Sequence, residues 1–257
     1  MHYVIQMNVF RDHNYNIIFE ALERLGLSYE EVDFYGCGDI HFETDRKDVF
    51  AFGSIKLANI ATKQGWNPGS FYGGNHDFSI YSEYYKDNLL NYDCHIQKLG
   101  EEITWLPNEM KFIRPCMDSK IVTGAVFTKI KWDDKLEELN ANPFFTKDRL
   151  DDLIQIGPVK TIYKEARIWI VDGKVVTSSY YRYGANVEWL ENVEPEGLEF
   201  AQTMVDLYQV AEAFVIDICL TPDGWKIVEI NCINCSGFYK GDMQKVLIAL
   251  ENKYNPK

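Results

Sequence analysis

Apolar residues over 3–9 are followed by Ile17, Ile18, Ala21, Leu22 and Leu25 at helical spacing, then Gly26, then a second apolar-rich run over 29–34. That order predicts strand, helix, strand at the start of the chain. A third strand is expected over 48–52, leading through Gly53 and Ser54 into a helix carrying Ile55, Leu57, Ala58 and Ile60. Alternation of this kind argues for an α/β unit with parallel pairing. Gly65-Trp66-Asn67-Pro68-Gly69 and Tyr72-Gly73-Gly74-Asn75 interrupt the pattern. A tyrosine-rich helical stretch is expected over 80–98, with a change of domain near Pro107.

In the second half strands outnumber helices, and tight turns replace crossovers. Strands are expected over 111–114, 121–128, 152–156, 166–171, 174–181, 215–220 and 225–232, and helices over 133–140, 195–211 and 241–254. The chain has 257 residues, enough for one large or two modest domains. The expected fold class is therefore α/β plus α+β, with an α/β domain over 1–106 and an α+β domain over 107–257.

No apolar run approaches the roughly 20 residues needed to cross a bilayer. The formal charge of −13 sets up a field that repels phosphate backbones and anionic surfaces, so nucleic acid is disfavoured and a membrane partner is not expected. The start lacks a basic segment leading into an apolar one, so no secretory signal is read. Six scattered cysteines fit reduced thiols in a cytoplasm.

The most informative stretch is Phe214-Val215-Ile216-Asp217-Ile218-Cys219-Leu220, then Thr221-Pro222-Asp223-Gly224, then Trp225 through Asn231. Pro-Asp-Gly suits a three-residue hairpin loop with a bulge. Pairing Thr221 with Trp225 then sets Asp217 opposite Glu229, and two-residue alternation adds Asn231 to that face. Two carboxylates so close repel unless a cation or proton lies between them. Three oxygen donors of this kind suit Mg²⁺; the other reading is the solvated side of an antiparallel sheet.

Asp172-Gly173 signals a second hairpin, in which Val171 pairs with Lys174, Arg167 faces Ser178, and Arg182 shares their face. The two arginines would line one groove and bind phosphate or carboxylate oxygens, or their stems would simply lie over Trp169 and Tyr180. Arg114-Pro115-Cys116-Met117-Asp118-Ser119-Lys120 joins two strands with a cation at each end. It is either a phosphate-covering loop or a plain hairpin loop, and it lacks Walker A spacing.

Taken in order, these pieces resemble the ATP-grasp superfamily, and within it the phage- and bacteria-associated clade named for two arginines and a lysine. The matching stretches are Phe112-Ile113-Arg114-Pro115 with Lys120 and Thr123-Gly124, Glu165-Ala166-Arg167 before Val171 to Val176, Arg182, Asp217, Glu229-Ile230-Asn231, and Ser236-Gly237-Phe238-Tyr239. The match covers about residues 108 to 240. The resemblance implies a pre-ATP-grasp-like N-terminal domain and a two-lobed ATP-grasp domain holding ATP between its lobes. It implies that Asp217, Glu229 and Asn231 hold Mg²⁺ and that Arg114 and Lys120 contact phosphate. Gln155, Ile156, Pro158 and Val159 would offer groups to adenine. Arg167, Arg182 and Lys120 would be the catalytic cations, the two arginines facing the transferred phosphoryl group and acyl substrate. Many relatives have Lys where Arg114 stands.

The implied reaction is ATP-dependent joining of a carboxylate to an amine through an acylphosphate, with release of ADP and phosphate. Substrates would be small molecules or peptides, closed homodimers are the common case for such enzymes, and the setting would be the cytoplasm, that of the host if the gene is phage-encoded. The alternative is a nucleotide-binding module that has lost ligation and serves regulation or interaction. Elsewhere, Cys232-Ile233-Asn234-Cys235 has C-x-x-C spacing without a second pair or a nearby His. Tyr81, Tyr84, Tyr85 and Tyr92 suit core packing or a dimer face better than base stacking.

Overall fold

In the computed structural model, which describes residues 1–7, 9, 14–33, 42, 44–117 and 122–256, the first apolar run forms strand β1 (His2–Gln6), buried at every position. Helix α1 (Ile17–Leu25) turns Ile18, Ala21 and Leu22 inward and stops at Gly26, whose φ of 64° is a left-handed conformation that costs glycine little. Strands β2 (Ser28–Val32) and β3 (Val49–Phe52) flank β1 in a parallel sheet of order β2-β1-β3, as the alternating pattern predicts. Helix α2 (Ile55–Gln64) begins at Ser54, whose side chain accepts from the Leu57 N–H.

The chain packs as two units, Met1–His76 with Ile162–Lys257, and Asp77–Thr161. In the second unit come α3 (Phe78–Tyr85), β4 (His95–Lys98), β5 (Met110–Pro115), β6 (Ala125–Thr128), α4 (Lys129–Ala141) and β7 (Leu153–Pro158). Their antiparallel sheet has the order β4-β7-β5-β6. The helix expected over 80–98 ends at Tyr85: Lys86 takes a φ of 48°, which breaks the helical path, and residues 95–98 are drawn into pairing with β7. Within α3, Tyr81 and Tyr85 are buried, while Tyr84 and, beyond the helix, Tyr92 are exposed.

The first unit resumes with β8 (Lys164–Val171), β9 (Lys174–Tyr183), β10 (Asn186–Leu190), α5 (Pro195–Leu207), β11 (Ala213–Thr221), β12 (Gly224–Cys232) and α6 (Met243–Tyr254). The five strands form a sheet of order β10-β9-β8-β11-β12. Trp169, Val171 and Val215 on one face pack with Tyr3, Ile5 and Phe52 of the parallel sheet and with Val246, Leu247 and Leu250 of α6. Helix α5 packs on β8, β9 and β11. Among the described residues no helix is long and apolar enough to cross a membrane.

Candidate nucleotide and metal site

The β11–β12 hairpin brings Asp217 opposite Glu229, but by a different route from the one its turn suggests. Thr221 pairs with Gly224 and Leu220 with Trp225, one residue short of the expected register, because the Thr221 hydroxyl closes the turn on the Gly224 carbonyl at 2.8 Å. An extra residue, Val228, then bulges from β12 and restores the phase, so that Asp217 meets Glu229 and Val215 meets Asn231. Asp217 is 1% exposed and Asn231 is buried.

Strand β11 also pairs with β8, which sets Asp217 opposite Arg167. The guanidinium grips the carboxylate with two bonds, Nε to Oδ1 at 2.8 Å and Nη2 to Oδ2 at 2.8 Å, the strongest geometry available to such a pair. Asn231 Nδ2 donates to Asp217 Oδ2 at 3.4 Å. Burial pushes the Asp217 carboxyl up to about 6; Arg167 opposes that rise and Glu229 adds to it. Arg167 is also buried, which works against its charge, but Asp217, with Tyr239 and Glu229, more than offsets this and keeps it protonated.

Two bulges likewise shift the β8–β9 hairpin. Val171 pairs with Lys174 as its turn predicts, but Val176 is extra, so Arg167 faces Ser179 instead of Ser178; a further extra residue, Tyr181, sets Arg182 opposite Glu165. Because Glu165 and Arg167 are two apart on β8, Arg182 still lies on the face expected of it. Its side chain is 48% exposed, with Nε 3.3 Å from Glu165 Oε1. The Tyr181 hydroxyl donates to the other oxygen of Glu165 at 2.9 Å.

In the second unit Arg114 on β5 stands opposite Gln155 on β7, and Gln155 Nε2 donates to the Pro115 carbonyl at 3.4 Å. Ile156 is paired on both sides, with His95 and Ile113, whereas among the described residues Pro158 pairs only with Lys111. Backbone groups of β7 therefore become available toward Pro158 and the exposed Val159. Lys120 lies outside the described residues. Cys232 and Cys235 are buried and in no disulfide, and they pack with Ala58.

Among the described residues no three His, Cys, Asp or Glu side chains gather as a metal group; the set here is two carboxylates and a carboxamide. That set fits Mg²⁺, which is satisfied by one or two protein carboxylates and takes its other oxygens from water and phosphate. The mutual repulsion that helps raise the Asp217 carboxyl is the strain a cation relieves. Sequence reasoning missed the Arg167–Asp217 ion pair, the Glu165 partner of Arg182, and an aromatic cover over Arg167. In that cover the Tyr239 ring centroid lies 5.0 Å from the guanidinium carbon, 5.2 Å from Tyr181 and 5.6 Å from Trp189. The only signal for Tyr239 in the sequence is its place as the last residue of the Ser236-Gly237-Phe238-Tyr239 motif.

Among solved structures the chain is similar to D-alanine–D-alanine ligase from Bacillus anthracis complexed with ATP, at 13% identity and a TM-score of 0.60, covering 100% of this chain and 94% of the other. It is similar also to L-amino acid ligase from Bacillus licheniformis, at 12% identity and a TM-score of 0.59, covering 100% of this chain and 74% of that one. A third likeness is to macrocyclase MdnC bound with precursor peptide MdnA from Microcystis aeruginosa, at 13% identity and a TM-score of 0.54, covering 98% and 100%. These likenesses establish the two-domain ATP-grasp fold. No curated protein matches the chain. The model of the ATP-grasp domain, family 3 of the clade named for two arginines and a lysine, matches residues 56–250, and the chain belongs to that family.

Proposed function

We propose that the chain is an ATP-dependent carboxylate–amine ligase acting through an acylphosphate. The observation that carries this reading is the convergence of Asp217, Glu229 and Asn231 on one sheet face with Arg167 gripped beside them. A substrate carboxylate oxygen bonds to the γ-phosphorus as the bond to ADP breaks. An amine then bonds to the acyl carbon, phosphate leaves, and the nitrogen loses a proton. Bound Mg²⁺ supplies charge neutralisation for the polyphosphate, and Asp217, Glu229 and Asn231 are the side chains that hold it. Arg167 and the more exposed Arg182 face the transferred phosphoryl group and the acyl substrate. Arg114 and Lys120 contact phosphate, and Gln155, Ile156, Pro158 and Val159 serve adenine. Carboxylate and amine are small molecules or peptides, and the setting is the cytoplasm.

ADP release with a panel of carboxylate and amine pairs tests this reading. Glu229→Gln should lower turnover by about 100-fold or more, in line with loss of a charge-stabilising group, while the melting midpoint holds or rises. Near-normal turnover would remove Glu229 from the site. The grip of Arg167 on both Asp217 oxygens favours a second reading, a nucleotide-binding module without ligation. MgATP at about 100 times its dissociation constant would then still add roughly 2.7 kcal/mol of stability, but no pair would release ADP.

A further inference from the structure

Five non-glycine residues among those described have positive φ: Lys86, Asn108, Asp172, Asn192 and Tyr239. Asn and Asp tolerate that conformation because their short side chains bond locally, and Lys86 ends a helix. Tyr239, at φ 48°, is the one bulky aromatic, where the conformation is costly and is kept only if the surroundings enforce it.

What enforces it converges on Arg167. Asn14 Nδ2 donates to the Tyr239 carbonyl at 2.7 Å, and the Lys240 N–H donates to the Ser179 hydroxyl at 3.1 Å, so the backbone is pinned just beyond the ring. The ring stacks on Tyr181 at an interplanar angle of 25° and leans on Trp189. Two residues earlier, the Gly237 carbonyl accepts from Arg167 Nη1 at 3.3 Å. Of the five N–H donors of a guanidinium, Asp217 takes two and Gly237 one. Two remain among the described contacts, one on each terminal nitrogen, and each can donate to an oxyanion.

We propose that Tyr239 is the positioning residue of this site: its strained backbone and stacked ring fix the plane of the Arg167 guanidinium so that the two remaining donors are aimed at the anionic group in transfer. The proposal rests on the ligase reading for what Arg167 meets, but not for how Arg167 is held. Arginine has several soft torsions, so a bidentate grip along one edge still permits rocking of the plane. A ring against the guanidinium face and a carbonyl at a third nitrogen remove that freedom, and misplacement by about 1 Å is enough to cost about 100-fold in rate.

The test uses the full chain with ¹⁵N-labelled arginine, and the Arg167 Nε–H signal is assigned by its loss in Arg167→Lys. In the wild type and in Tyr239→Phe that signal should be displaced by ring current and protected from solvent exchange. In Tyr239→Leu it should move toward the free-arginine position and exchange at least about 10-fold faster. Asn14→Ala frees the Tyr239 carbonyl without touching the ring, and should speed exchange in the same direction should the Leu variant not fold. In the turnover assay Tyr239→Leu should lower kcat about 10- to 100-fold with KM for ATP within about twofold of wild type, and Tyr239→Phe should restore kcat. An Arg167 signal that is unchanged in Tyr239→Leu, or in Asn14→Ala if that variant alone folds, overturns the proposal. So does a Phe variant as impaired as Leu. Because the NMR arm needs neither nucleotide nor turnover, a wild type that never releases ADP would sink the ligase reading while leaving the positioning result to be read by itself.

Discussion

Strand β8 carries two shielded cations on opposite faces, Lys164 and Arg167, and the contrast between them separates a charge paired near the surface from one paired in the interior. Lys164 Nζ lies 5.2 Å from the Tyr180 ring, 5.7 Å from Tyr183 and 5.6 Å from Trp225, and it pairs with Glu194 at the start of α5. Its own side chain is 11% exposed but that of Glu194 is 40% exposed, so the pair lies close to the surface. One cation meets one acid inside an aromatic cage, and the charges balance. Arg167 and Asp217 are both buried, and Glu229 stands opposite Asp217 as a second acid. Arg167 is thus held in the interior where carboxylates from two neighbouring strands meet.

The sharpest way to break the comparison is to remove each cation in turn. Arg167→Leu leaves Asp217 buried without its partner and should cost about 3–5 kcal/mol, read from urea unfolding; a loss below about 1 kcal/mol would show that the pair is wetter than its burial indicates. Lys164→Met keeps the apolar stem in its cage and lets Glu194 rehydrate, so the expected loss is about 1–2 kcal/mol. Equal losses at the two positions would erase the distinction. A smaller effect lies in pH. The Asp217 carboxyl is raised from 3.8 to about 6 in the folded chain, so the folded state binds that proton more tightly than the unfolded one. The contribution of this group to stability is therefore full below about 3.8 and is lost as pH rises through about 6. In metal-free buffer Glu229→Gln should flatten that decline, and an unchanged profile would show that Glu229 does not act on Asp217.

The elements around this site are legible in the sequence where their signals are local. Residues 17–25 followed by Gly26 announce α1, and Asp172-Gly173 announces the β8–β9 turn. The pairing of Asp217 with Glu229 holds although the turn register behind it does not: Val228 bulges by one residue and cancels the shift. Bulges at Val176 and Tyr181 have no such local signature, since each is set by what the strand must pack against. The Arg167–Asp217 grip is invisible for a different reason. It depends on β8 lying beside β11, a pairing of strands distant in the chain that no spacing rule reports. β4 is hidden likewise, because His95–Lys98 becomes a strand only through β7.

The layout of the two units also sets an order of events during synthesis. Asp77–Thr161 is continuous, whereas the other unit is assembled from Met1–His76 and Ile162–Lys257, and its core joins Tyr3 and Phe52 to Val246 and Leu250. That core cannot close until α6 has left the ribosome. If the segment between were a free coil of about 85 residues, closing it would cost roughly 4 kcal/mol in chain entropy. Folded beforehand around its own sheet, it has already given up that freedom, and the closure costs less. The inserted unit is thus the natural first folder, and mutations that destabilise it should slow the assembly of a core to which its own side chains do not belong.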